Sequence, residues 1–328
     1  MILSYDTIKN MKPPYQLTEE VLKIATRIAE KLGEIDARNL HRPRPELRKA
    51  NRIKTIQSSL EIEGNTLTEQ QITALLGSKT VIGPQKDILE VQNAIDVYNN
   101  LHSFNPNNLK DFEKAHGILM KGLIDKPGKL RTKNVGIAKE SKVAHVAPGG
   151  DVVKTLMKNL FDYLENDTDI LLIKSCVFHY ELEFIHPFID GNGRMGRLWQ
   201  TVILMRRYPV FEYLPIEHLI KQNQKAYYDA LSKSDRLGHA TPFILFMLEM
   251  IYQALNDLLK ERSVKLTQKD RIAIFKEKIG DNEFSRKDYL RHFHNISQAT
   301  ASRDLKWAVE NNILYKQGDK RLTVYRYK

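Results

Sequence analysis

The segment His186-Pro187-Phe188-Ile189-Asp190-Gly191-Asn192-Gly193-Arg194-Met195-Gly196-Arg197 gathers residue types that handle phosphate. It lies between two apolar stretches, so it reads as a loop running into the start of a helix. Gly191 and Gly193 tolerate positive φ, which lets successive backbone N–H groups converge into an anion-binding nest. The positive end of the following helix favours the same anion. Arg194 and Arg197 fall on one face of the first helical turn, where both can donate to one polyphosphate with a geometry lysine lacks. Asp190, just before the nest, is placed to hold a Mg2+ that keeps phosphate oxygens among its ligands. His186, at the loop entrance, carries the side chain type best suited to accept a hydroxyl proton near neutral pH. There is no Gly-Lys-Ser/Thr, which excludes the P-loop. Singly these are a turn, a packed histidine and a solvated charged face. In one run they describe a polyphosphate site with a base beside it.

A second segment, Ser59-Leu60-Glu61-Ile62-Glu63-Gly64-Asn65, breaks a local rule. Glu63 reads as the last helical residue before a glycine stop, where the macrodipole is negative and a carboxylate costs about 0.3 to 1 kcal/mol. Violations of this kind often mark functional sites, although an exposed helix-end glutamate tolerates such a cost.

Helices must position both segments. Apolar spacing predicts one over Leu17 to Gly33, through Val21, Ile24, Ile28 and Leu32, with the glycine as its stop. Pro43 and Pro45 punctuate, and Leu47 to Glu63 resumes the pattern with Ile53, Ile56 and Leu60. Thr68 with Gln71 resembles a capping box opening Glu69 to Leu76. Further helices are predicted over Asp87 to His102, Leu109 to Gly122, Asp151 to Glu165, Ile170 to Phe184, Arg194 to Arg207, Gln222 to Ser234 and Pro242 to Arg262. Lys126 to Asp151, rich in Gly and Pro, reads as a hairpin with strands near Val135 to Ile137 and Val143 to Val146. Its edges offer a template for an extended peptide. Beyond a boundary near Arg262 to Thr267, two helices (Phe284 to Phe293, Ser297 to Asn311) precede two alternating strands around Gly318-Asp319, a winged-helix pattern.

With 328 residues, 42% apolar and 28% charged, the composition is that of a soluble globular protein with a sizeable core. No apolar run is expected to reach the length of a membrane span, and Met1 to Pro14 lacks the pattern of a signal peptide. The lone Cys176 rules out an intrachain disulfide and makes the cytoplasm the default location. The net charge of +11 is uneven, since fifteen Lys/Arg against eight Asp/Glu from Lys265 to Lys328 leave +7 there. That suits an anionic partner without choosing between nucleotide and nucleic acid. The rival to an enzyme is a DNA-binding regulator, with Gln298, Thr300, Ser302, Arg303 and Lys306 on a recognition helix and Lys316, Lys320 and Arg321 on a wing. His292 and His294 lack a third ligand at metal-site spacing, and His179 reads as a packed helix residue.

His186 to Arg197 matches the signature of the Fic family, His-x-Phe-x-Asp/Glu-Gly-Asn-Gly-Arg-x-x-Arg, at every specified position. Lys129-Leu130-Arg131-Thr132 with Val135, Gly136 and Ile137 resembles the family's target-binding flap, and Tyr227-Tyr228 resembles the pair bordering its adenine site. Ser59 to Gly64 resembles its inhibitory motif, Ser/Thr-x-x-x-Glu-Gly/Asn, in the class that carries this brake before the catalytic loop. The resemblance covers about Leu17 to Met250.

It implies a protein adenylyltransferase (AMPylator), a nucleotidyltransferase with ATP as co-substrate and Mg2+ as cofactor. His186 would deprotonate a Ser, Thr or Tyr hydroxyl of a target protein, or of the chain itself, for attack on the α-phosphorus of ATP. Asp190 would hold the Mg2+, with Gly191, Asn192 and Gly193 on the α- and β-phosphates and Arg194 and Arg197 on the outer phosphates. Phe188 would anchor the loop. Val135, Gly136, Ile137, Gly196, Tyr227, Tyr228 and Asp235 complete the implied ATP site. Glu63 would pair with Arg197 and block the γ-phosphate, steadied by Ser59 and followed by Gly64. Glycine at 193, where Doc-type kinases carry lysine, implies transfer of AMP rather than phosphate. In some relatives the same glutamate drives removal of AMP, and that alternative stays open.

The implied architecture is an all-α Fic fold with a small β-hairpin flap plus a C-terminal winged helix-turn-helix domain of α+β type. Its regions are 1–105 (an N-terminal helical region with the inhibitory helix), 106–262 (catalytic core with the flap) and 263–328 (winged helix). The partners implied are ATP and a protein substrate along the flap, with a second copy of the chain and DNA as further candidates and no membrane.

Overall fold

The computed structural model describes residues 12–38, 40–139, 142–261, 267–293, 296–319 and 323–328, without the side chains of 136–146 and 261. Helix α1 (Glu19–Ala37) is capped by Thr18, whose hydroxyl accepts from the Val21 N–H, and it runs straight through Gly33. The expected stop at that glycine is overturned because Ile28, Leu32 and Ile35 carry the buried stripe past it. Nothing lies within 4 Å of where a Gly33 Cβ would sit. Gly33→Ala should therefore stabilise the fold by about 0.5 to 1 kcal/mol, read as a higher urea midpoint at constant slope. An unchanged or lower midpoint would contradict the free helix interior.

Helix α2 (Pro45–Glu61) starts on its proline, which serves as the first helical residue rather than a break. It ends at Glu61, so Glu63 stands in the turn beyond the helix rather than as its last residue. Helix α3 (Glu69–Leu76) opens with the Thr68 and Gln71 capping box. Helices α4 (Gln85–Asn99) and α5 (Leu109–Leu119) follow. Strands β1 (Gly136–Lys139) and β2 (Lys142–Val146) pair antiparallel, Gly136 opposite Val146, with an irregularity between Ile137 and Ala138. Then come α6 (Val153–Asn166), α7 (Leu171–Ile185), α8 (Asn192–Met205), α9 (Ile216–Gln222), α10 (Gln224–Leu237) and α11 (Thr241–Glu261). The short α9 escaped the periodicity because seven residues show too little of a stripe.

One apolar core runs from Val21 to Leu259, through both the N-terminal helices and the expected catalytic region. Its centre is α7, buried on almost every side and packed between α8 and α11. Contrary to the sequence expectation, Thr241–Lys260 is long and apolar enough to cross a bilayer. In the fold 56% of that stretch is buried, and α11 packs on α1, α7, α9 and α10 as a core helix.

A second core, containing Ile272, Phe275, Tyr289, Leu305 and Tyr327, belongs to the C-terminal elements. These are α12 (Gln268–Ile279), α13 (Arg286–His292), α14 (Gln298–Glu310) and the antiparallel pair β3 (Leu314–Gln317) and β4 (Val324–Tyr327). Here α12 adds a helix the sequence reading lacked. Its Arg271 forks onto buried Asp304 at 2.6 and 2.8 Å, and the Tyr289 hydroxyl donates to the same carboxylate at 3.2 Å. Arg48 and Arg42 of the main body reach Glu277 on α12. The expected boundary near Arg262 to Thr267 falls mostly outside the described residues, with one core on either side of it.

Candidate functional site

Helix α7 ends in His186, which takes left-handed angles (φ 51°, ψ 59°) that non-glycine residues seldom adopt. Arg131 holds this turn. Its guanidinium, 3% exposed as a residue, donates from Nε to the His186 carbonyl at 2.7 Å and from Nη2 to the Ile185 carbonyl at 3.0 Å. It also donates to the carbonyls of Lys133 and Pro148, each at 2.7 Å. One cation thereby satisfies orphan carbonyls at a negative helix end and ties the segment leading into the hairpin to the loop. In sequence Arg131 belongs only to a flap-like run, and no local pattern marks this clamp.

The loop's floor is aromatic. Phe188, fully buried, stacks on His116 with centroids 3.5 Å apart and planes within 5°. His116 Nδ1 accepts from the Gly128 N–H at 2.8 Å, so Nε2 carries the proton and donates to the Asp190 carbonyl at 2.9 Å. Burial pushes this imidazole down to about 4, keeping it neutral. No sequence pattern flagged His116. The Asn192 side chain closes the loop, accepting from the Phe188 N–H and donating to the Phe188 carbonyl, both at 2.9 Å. Only its backbone N–H is left for a phosphate.

Gly191 (φ 87°) precedes the first residue of α8, and a Cβ there would lie 2.8 Å from Met120 Sδ. Gly193 is already helical, so it gives close approach rather than positive φ. A Cβ on Gly193 would lie 2.6 Å from Glu63 Oε1 and 3.1 Å from an Arg197 nitrogen. The Glu63 carboxylate thus stands directly over the nest. Asp190, its side chain 51% exposed, accepts at Oδ1 from the Gly191 N–H at 2.6 Å and from Arg194 Nη2 at 3.0 Å. Among the described residues no group of three or more His, Cys, Asp or Glu is set to hold a metal. A lone exposed carboxylate beside an anion nest still fits Mg2+, which completes its shell with phosphate and water.

Arg197, 1% exposed as a side chain, donates from Nη2 to Glu63 Oε1 at 2.8 Å and to the Ser59 carbonyl at 2.9 Å. Its Nε donates to the Ser59 hydroxyl at 3.1 Å. Ser59 therefore fixes the arginine, not the glutamate as expected, because α2 presents it to Arg197 one turn before Glu63. Arg194 is held between carboxylates, Glu90 at 3.1 Å and Asp190 at 3.0 Å. Glu90 was not singled out from the sequence.

Beneath the nest runs a buried polar chain. His179 Nδ1 pairs with Gln200 Oε1 at 2.9 Å, and the Tyr227 hydroxyl bridges His179 Nε2 and Glu183 Oε1, each at 3.1 Å. Burial pushes His179 down to about 3 and Glu183 up to about 7. A Gly196 Cβ would lie 2.6 Å from the His179 ring, so Gly196 serves the contact of α7 with α8. Tyr227 is buried, with half-buried Tyr228 against it at 5.3 Å between centroids. Asp235 accepts from the Tyr180 hydroxyl at 2.9 Å. Val135 is half-buried; Gly136 and Ile137 are described as backbone only.

Glu183 gives a pH prediction. An acid raised on folding binds more protons folded than unfolded between its ordinary value of 4.5 and about 7, so it lowers stability as pH rises across that window. Glu183→Gln should gain on the parent between pH 5 and pH 8, by up to about 3 kcal/mol in urea unfolding. A difference independent of pH would show that Glu183 is not the titrating group.

Comparison with known proteins agrees with this geometry. The Fic/DOC family model matches residues 106–204, a stretch that contains the whole loop. The "Protein adenylyltransferase Fic" of Drosophila willistoni is 29% identical over 245 residues, covering 69% of this chain and 47% of that protein. Its namesake in Nematostella vectensis is 29% identical over 248 residues, covering 71% of this chain and 54% of that protein. The chain thus spans about half the length of these curated relatives. A Fic family protein from Desulfovibrio desulfuricans G20 has a crystal structure that superposes with a TM-score of 0.73 at 38% identity, over 97% of this chain and 98% of the other. That likeness extends over both chains almost end to end and takes in the loop and the helices that hold it: the chain belongs to the Fic family.

Proposed function

We propose that the chain transfers AMP from ATP to a Ser, Thr or Tyr hydroxyl of a protein, itself included, and that Glu63 restrains this activity. The observation that carries the reading is the carboxylate of Glu63 held over Gly193 and 2.8 Å from Arg197, the arginine that would take the outer end of a polyphosphate. His186 would take the hydroxyl proton as the oxygen attacks the α-phosphorus. The bond to the bridging oxygen breaks, and pyrophosphate leaves. The N–H groups of Asn192 and Gly193, joined by that of Gly191 once Asp190 turns from it to the metal, would hold the inner phosphates, and Arg194 and Arg197 the outer ones. Asp190 would hold Mg2+, which supplies charge neutralisation when bound. Positioning and electrostatics of this kind carry most of such a transfer.

A groove of about 830 Å3 beside Arg131, lined by Leu109, Glu113, Leu130 and Lys154, supports a protein target reaching the loop along the flap. Transfer of label from α-phosphate-labelled but not γ-phosphate-labelled ATP tests the reading, since label from the γ-position would mean phosphate transfer. Loss of bound AMP label from washed, modified protein would favour the removal reaction at the same site.

A second reading concerns the C-terminal unit. Gln298, Arg303 and Lys306 are exposed on α14, and Arg286, Lys287, Ser302 and Lys316 line a groove of about 1030 Å3 beside it. Thr300 is half-buried, and Lys320 and Arg321 lie outside the described residues. Glu310 and Asp319 also line the groove, whose remaining positive excess would suit duplex DNA, testable as binding that weakens steeply with salt. The division into 1–105, 106–262 and 263–328 and a cytoplasmic location belong to the same proposal.

A further inference from the structure

One buried carboxylate outside the loop touches both halves of the site. Glu90 on α4, 6% exposed, accepts from Asn65 Nδ2 at 2.9 Å on one oxygen and from Arg194 Nη1 at 3.1 Å on the other. Asn65 directly follows Glu63-Gly64, so its amide is a fixture of the turn that carries Glu63. Its orientation is set, because Oδ1 accepts from the Leu67 N–H at 3.1 Å and leaves Nδ2 for the Asp87 carbonyl and Glu90. Lys86 lies 3.9 Å from Glu90 but is 71% exposed, a solvated neighbour that does little to neutralise a buried charge. Arg194 is therefore the cation that makes burial of Glu90 tolerable.

We infer that Glu90 is a positioning residue that couples the inhibitory turn to the first motif arginine, so that Glu63 at Arg197 and the hold on Arg194 are released together. The inference rests on the proposed nucleotide transfer. When phosphate oxygens take the donors of Arg194, Glu90 loses its cation and faces an anion. Its grip on Asn65 weakens, and the turn bearing Glu63 loosens. Run in reverse, an ordered turn fixes Glu90 and keeps Nη1 of Arg194 engaged on α4. Linkage requires the effect to be reciprocal.

The test is Glu90→Gln, which keeps the shape but offers one oxygen to two donors. In the otherwise native chain, AMP incorporation should rise on the order of tenfold. In a Glu63→Gly background the same change should give a clearly smaller factor, because only the hold on Arg194 is left to release. Amide exchange across Gly64 to Leu67 should quicken in Glu90→Gln, and Asn65→Ala, which cuts the link to Glu90 together with the bonds to Leu67 and Asp87, should reproduce the gain in incorporation. Equal factors in the two backgrounds, or unchanged exchange in the turn, would overturn the coupling. Should Glu63→Gly itself incorporate no AMP, the transfer reading fails, while the exchange measurement still decides the role of Glu90. If Glu90→Gln does not fold, incorporation by Asn65→Ala in the two backgrounds decides, equal factors again overturning the coupling.

Discussion

Glu63→Gly is expected to raise incorporation of α-labelled AMP into protein by roughly 30- to 140-fold, at about 1.4 kcal/mol per decade. The estimate follows from the geometry of one ion pair. Arg197 is 1% exposed as a side chain, and Glu63 is 32% exposed. Breaking a fully buried pair costs about 3 to 5 kcal/mol, and solvent at the glutamate end brings this down to about 2 to 3. That free energy is what a triphosphate must displace before it can use Arg197. Glu63→Gln should fall between, since it keeps an acceptor for Arg197 and loses the charge. Glu63→Gly should also lower thermal stability, because Arg197 is then buried with only the Ser59 contacts and water. Incorporation equal to that of the parent would remove the brake from the account.

His186→Ala in the Glu63→Gly chain should then abolish the gain, with a loss of about 10²- to 10⁴-fold, the usual range for a general base. The affinity for Mg-bound ATP should change little, because the phosphate-holding groups lie from Asp190 onward. The substitution has a structural cost as well, since alanine at φ 51° is strained by about 1 to 2 kcal/mol. His186→Asn removes the base with a residue that tolerates left-handed angles, so it separates the two effects. Loss of activity in both variants with nucleotide affinity retained marks the base. Activity retained in His186→Asn would place the proton elsewhere.

The loop was legible because its chemistry is local: a nest, a helix start and two arginines all occur within one short run. Local rules also found the Thr68 capping box and both hairpins. They failed where tertiary packing decides. Gly33 reads as a stop until Ile35 is seen to be fully buried. Pro45 reads as a break, although a helix tolerates proline in its first turn. The groups that hold the loop come from far along the chain: His116 reaches the Asp190 carbonyl, Arg131 the His186 carbonyl, and Glu90 reaches Arg194. Each looks like an ordinary polar residue in its own helix or turn. Only the fold shows that it is buried and whom it faces. Ser59 shows the limit of motif reading, since its position was right and its partner was Arg197.

Diffraction from crystals of the Glu63→Gly chain grown with ATP and magnesium tests the central claim most directly. The account predicts phosphorus density along the N–H groups of Gly191, Asn192 and Gly193, with the metal on Asp190 and the outer phosphates on the two arginines. An empty loop, or a triphosphate bound anywhere else on the chain, would contradict it.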